Sequence, residues 1–149
     1  MPPLVGFDSN ILIYTELEAR SEKGLHARAV LERLSARGVV PVQSLLEFVT
    51  VVRKRRPERT DAAIAKASVW ATVFRTQATS ELVMGAASRL VSRHQLQVWD
   101  AVILAATHEA GASVLLSEDM QDGAVLGGVR ILNPFATDLD GLMLRLGPA

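Results

Sequence analysis

The sequence predicts an α/β domain with a short central parallel sheet flanked by helices on both sides. Three observations predict it. Brief apolar runs alternate with segments of helical periodicity, the pattern of a parallel sheet built through right-handed crossovers. The chain has 149 residues, 49% of them hydrophobic, enough for one core without disulfide staples. Acidic residues stand directly after two of the apolar runs, where ligands gather in open parallel sheets.

In chain order, Leu4-Val5-Gly6-Phe7 reads as a buried first strand ended by Asp8, and residues 10–17 as a helix. Residues 22–37 carry Leu25, Ala29, Val30 and Leu34 near helical spacing, with Gly38 as the stop. Residues 39–42 form a second strand. Ser44 opens a helix that Pro57 halts. An alanine-rich helix is expected over 60–75, a brief strand at 77–79 and a helix over 80–93. The strongly apolar stretch 99–110 is helical up to Gly111. Strands at 113–116 and 129–132 complete the sheet. The main body of the domain is expected over 1–134, with 135–149 a C-terminal extension of it.

Composition excludes several classes. Without cysteine there is no disulfide framework, thiolate metal site or cysteine nucleophile, and a reducing cytoplasm suits the chain. The N-terminus lacks the features of a signal peptide, and no apolar run approaches the roughly 20 residues that span a bilayer. With 16 basic and 16 acidic residues, any attraction to nucleic acid must come from a local patch.

Each acidic residue also has a structural reading. Asp8 and Asp100 could be helix caps, and Glu47 could close a capping box on Ser44. Asp119 and Asp122 could belong to a solvated loop. Their joint placement is harder to explain that way. Asp8 and Asp119 end strands, Glu47 and Asp100 begin helices nearby, and no Lys or Arg lies within five residues of any of these four. Two carboxylates about 4 Å apart repel by roughly 4 kcal/mol at an effective dielectric near 20, so a shared cleft calls for a cation. An all-oxygen site selects Mg²⁺ or Mn²⁺ over Zn²⁺.

The segments FDSNILIY (7–14), SLLEF (44–48), VWDAVILAAT (98–107) and LLSEDMQDG (115–123) resemble the PIN-domain ribonucleases, and within them the VapC-like toxins of bacterial toxin–antitoxin pairs. The resemblance implies a PIN-like fold over 1–134 and a Mg²⁺- or Mn²⁺-dependent endoribonuclease that cuts single-stranded or loop RNA. It carries the acid roles onto Asp8, Glu47, Asp100 and Asp119, with Asp122 as an additional candidate and Asn10 and Ser117 as supporting residues. It also implies a homodimer and a cognate antitoxin. The basic run Arg53-Lys54-Arg55-Arg56 reads either as a helix C-terminus matched to its dipole or as an RNA phosphate contact. Trp99 reads as packing or as a base-stacking surface, and His94 and His108 as helix surface.

Two other classes compete. A PIN-like domain could act only as a binding module. An aspartyl-phosphate phosphatase could use Asp8, although such enzymes need a second acid where Asn10 stands.

Overall fold

The computed structural model describes residues 2–147; Met1, Pro148 and Ala149, the outer limits of the expected domain and extension, lie outside them. The elements are β1 (Val5–Phe7), α1 (Ser9–Leu17), α2 (Glu22–Arg33), β2 (Gly38–Pro41), α3 (Val42–Arg55), α4 (Thr60–Val73), β3 (Arg75–Gln77), α5 (Glu81–His94), α6 (Val98–Glu109), β4 (Val114–Leu116), β5 (Val125–Leu126), β6 (Val129–Leu132) and α7 (Leu139–Leu146). The strands form one sheet in the order β3-β2-β1-β4-β6-β5. Every neighbouring pair is parallel except β5–β6, a hairpin through Gly127 and Gly128, both at positive φ.

Alternation along the strands builds two hydrophobic layers. Val5, Phe7, Val114, Leu116 and Leu132 face a cluster completed by α1, α2, α3, α4 and α7. Leu115, Val129 and Ile131 face the opposite way, against α5 and α6. Gly6 points to that second face, under α6. A Cβ there would lie 2.7 Å from Thr107 Cγ2, so the missing side chain lets the helix approach the strand. Gly6→Ala is expected to lower stability by about 1–3 kcal/mol, read as a lower urea midpoint at unchanged m-value.

Several boundaries differ from expectation, two of them for a tertiary reason. Helix α2 ends at Arg33, and Gly38 is not its stop but the first residue of β2. A Cβ on Gly38 would meet Phe74 at 2.5 Å and Phe7 at 2.8 Å. Helix α3 begins at Val42, with no side-chain cap. Ser44 is therefore inside the helix, and its hydroxyl donates to the Phe7 carbonyl at 2.9 Å instead of capping. Strand β3 covers 75–77 rather than 77–79, and the two-residue β5 has no sequence signal.

The segment after 134 packs onto the main body. Asp138 caps α7 by accepting from Gly141 N–H at 2.8 Å, and Leu142 and Leu146 enter the first cluster. Among the described residues no helix is long and apolar enough to cross a membrane.

Candidate functional site

Strands β1 and β4 lie side by side, yet the chain leaves them toward opposite edges of the sheet, creating a crevice at their carboxyl ends. Their register pairs Phe7 with Leu116, so Asp8 and Ser117 emerge together. The ladder runs one step further, with Asp8 N–H donating to Leu116 O at 3.0 Å. Because α3 follows β2 without a loop, Glu47 stays near the same edge. Asp100 occupies the first turn of α6, whose cap position is Gln97, so it is not itself a cap.

A hydrogen-bond web ties these residues together. Asp8 accepts from Ser9 N–H at 2.7 Å and from the Ser117 hydroxyl at 2.6 Å. It keeps the helix-cap role as well, so the two readings of Asp8 coincide. The Asn10 amide donates to Asp119 at 3.1 Å and more weakly to Asp8 at 3.4 Å, while its carbonyl oxygen accepts from Glu118 N–H at 3.3 Å. Ser117 also accepts from Asp119 N–H at 3.2 Å. Asn10 and Ser117 thus align the acids of β1 and β4.

Sequence reasoning missed Ser9. Its hydroxyl donates to Glu47 Oε2 at 2.8 Å and so joins α1 to α3 across the crevice. A hydroxyl beside Asp8 is visible in the sequence, but nothing there locates its acceptor. Sequence reasoning also left Glu118 unassigned. It accepts from Tyr14 OH at 2.6 Å and pairs with Lys23, which removes its charge from the crevice.

The electrostatics mark the site. Asp8 is 2% exposed, and burial pushes its carboxyl up to about 7 despite the Ser117 and Ser9 hydrogen bonds, with Asp100 and Glu47 adding repulsion. Burial raises Asp100 as well, followed by the charges of Glu47 and Asp119. The four acids therefore act on one another, and among the described residues no cationic side chain offsets the charge of Asp8 or Asp100. This donor chemistry fits a hard divalent cation. No group of three acidic or histidine side chains stands ready-made around one point among the described residues.

Other expected residues fall elsewhere. Asp122 does not join the acids: it accepts from Asn133 N–H at 2.8 Å and pairs with Arg145 at 3.0 Å. The Arg145 pairing, then the Asn133 N–H, hold its carboxyl below the usual range. In the basic run, Arg56 pairs with Glu58 at 3.1 Å. Arg53, Lys54 and Arg55 make no ion pair among the described residues. Lys54 is seven residues from Glu47, two helical turns along the same face of α3. His94 and His108 are exposed. Trp99 is 51% exposed and borders an apolar hollow of about 420 Å³ between α5 and α6, rather than filling the core.

The PIN domain model matches residues 6–121, most of the chain and all four acids. The chain belongs to the PIN domain family. No curated protein matches this PIN domain significantly. Among solved structures, it is similar to a toxin–antitoxin complex from Klebsiella pneumoniae, at 21% identity and TM-score 0.66, over 87% of this chain and 97% of the other. It is similar to VapC20 of Mycobacterium tuberculosis, a sarcin–ricin-loop-cleaving toxin, at 18% identity and TM-score 0.65, over 77% and 91%. DNA-bound VapBC from Salmonella typhimurium gives 14% identity and TM-score 0.67, over 89% and 98%. At such identities these likenesses establish the fold.

Proposed function

We propose that this PIN domain is a Mg²⁺- or Mn²⁺-dependent endoribonuclease acting on single-stranded or loop RNA, and the toxin of a toxin–antitoxin pair. One observation carries the reading: four carboxylates from β1, α3, α6 and the β4 end crowd one crevice, and Asp8 is buried there at a cost that a bound cation would offset. Family membership and the toxin structures among its likenesses support a nuclease toxin role.

In this reading Asp8, Asp100 and Asp119 would hold the ion, and Glu47 would complete the site directly or through water. When bound, such an ion would lower the pKa of water and offset charge at the reacting phosphate. Glu47, anchored through Oε2 by Ser9, keeps Oε1 available to orient the attacking water and accept its proton. Asn10 and Ser117 hold Asp8 and Asp119 in register. Ser9→Ala is expected to reduce cleavage about 10- to 100-fold, the usual scale for residues that orient metal ligands, with Ser9→Thr retaining most activity. A Ser9→Ala variant as active as wild type would show that Glu47 needs no such anchor.

The phosphatase alternative loses support, since Asn10, which stands where such enzymes need a second acid, donates its amide to Asp119 and Asp8. Exposed Met84, Val98 and Trp99 around the apolar hollow support a homodimer. The toxin–antitoxin complexes among the similar structures support an antitoxin partner, and the DNA-bound state of one suits a cytoplasmic site of action.

The test is cleavage of a labelled mixed RNA pool by purified protein with Mn²⁺, with Mg²⁺ and with EDTA. Cutting that depends on metal is the expected result. Cutting that persists undiminished in EDTA would overturn the metal mechanism. A protein that binds antitoxin yet cuts no RNA, including ribosomal RNA, would leave only the binding-module reading.

A further inference from the structure

We propose that the hollow between α5 and the β5–β6 turn is a second binding site for phosphates of the RNA strand, an inference that rests on the ribonuclease reading. The hollow measures about 250 Å³, and Arg89, Arg93, His94 and His108 line it with no carboxylate among the lining residues. Neither arginine makes an ion pair among the described residues. In a chain with equal numbers of acidic and basic residues, such a one-signed recess is a local departure.

The bland explanation accounts for only part of it. Arg93 and His94 sit in the last turn of α5, where positive charge favours the helix dipole. Arg89 is outside that turn, one turn before Arg93, and like charges at this spacing destabilise a helix by a few tenths of a kcal/mol. His108 comes from a different helix and faces the same recess. The floor is shaped too: a Cβ on Gly127 would lie 3.1 Å from Leu90, so the glycine turn presses directly on that side chain.

Two guanidinium groups with adjacent imidazoles suit the geometry of phosphate oxygens, which arginine meets with paired N–H donors. Along α6, eight residues separate Asp100 from His108, about 12 Å of helix. Residues 101–107 between them are buried, so a strand that engages both the crevice and the recess passes around the helix and exceeds the roughly four nucleotides at the lower end of single-strand site sizes. The recess would take RNA away from the scissile bond and lend affinity without touching the chemistry.

The experiment compares wild type with the R89A/R93A and R89K/R93K double variants, using a fluorescein-labelled oligouridylate in EDTA so that binding is read without cleavage. R89A/R93A is expected to weaken binding about tenfold and to flatten the salt dependence by about 0.7 for each phosphate no longer neutralised. R89K/R93K should recover most of the salt slope, and thermal melting checks that all three proteins fold alike. Unchanged affinity and slope in R89A/R93A would overturn the proposal. A second arm adds inorganic phosphate: if it raises the wild-type Tm while RNA affinity stays unchanged in R89A/R93A, the recess serves a small phosphorylated ligand and the RNA assignment falls. The two readings separate cleanly. Wild type that binds RNA at the recess but never cuts would refute the nuclease reading alone, whereas normal cutting with unchanged R89A/R93A binding would refute the recess alone.

Discussion

Asp100→Asn is expected to lower metal-supported RNA cleavage by about 10³-fold or more, the scale seen when one member of a catalytic unit is removed. The substitution keeps the shape of a half-buried side chain in the first turn of α6 and deletes only its charge. Stability should change little, and the repulsion that Asp100 shares with Glu47 and Asp119 should ease. Loss of cleavage with an unchanged fold and retained RNA binding would assign the defect to the chemical step. Activity within tenfold of wild type would remove Asp100 from the machinery and, with it, the reading of the crevice as the reaction centre.

Asp8→Asn is expected to abolish cleavage while stabilising the metal-free protein. The folded state raises Asp8 from 3.8 to about 7, so the fold favours the protonated form. Below pH about 4 the carboxyl is protonated whether the chain is folded or not. Between there and pH about 7 the unfolded chain releases the proton more readily, the folded state binds more protons, and stability falls as pH rises. The loss is on the order of 4 kcal/mol across this window. The amide cannot ionise, so in EDTA the variant should melt about 8–16 °C above wild type near neutral pH, with a smaller difference in acid. Mn²⁺ should raise the wild-type Tm and leave the variant nearly unmoved. A wild-type melting temperature that climbs with pH through this window would contradict the sign of the shift.

Much of this site is legible in the sequence because parallel sheets place strand ends at one edge. Once Phe7 and Leu116 are read as the ends of strands, Asp8 and the acids near Ser117 have to approach each other. Other features depend on acceptors that sequence spacing does not reveal. Ser44 and Glu47 match a capping box, yet in the fold the Ser44 hydroxyl finds the Phe7 carbonyl and Glu47 finds Ser9. Asp122 looks like another member of the acid group because its partner, Arg145, lies 23 residues away in a helix whose packing has no recognisable motif. Trp99 sits in an apolar helix, and helical periodicity alone does not place its ring at the surface.

The way β6 and α7 close the sheet separates the unit by which this protein is recognised from the unit that folds. The family match ends at residue 121, before β5, β6 and α7. A chain cut to that matched segment would keep all four acids and lose the strand and helix that complete the sheet and its first hydrophobic layer. Strand β4 would lose its β6 partner and become a bare edge, while Leu116 would lose Leu132 and Leu142 from its layer. Such an edge invites pairing with other chains. A minimal nuclease cut to its signature should therefore aggregate, and trimming from the C-terminus should stop short of Leu146, the last side chain to enter that layer.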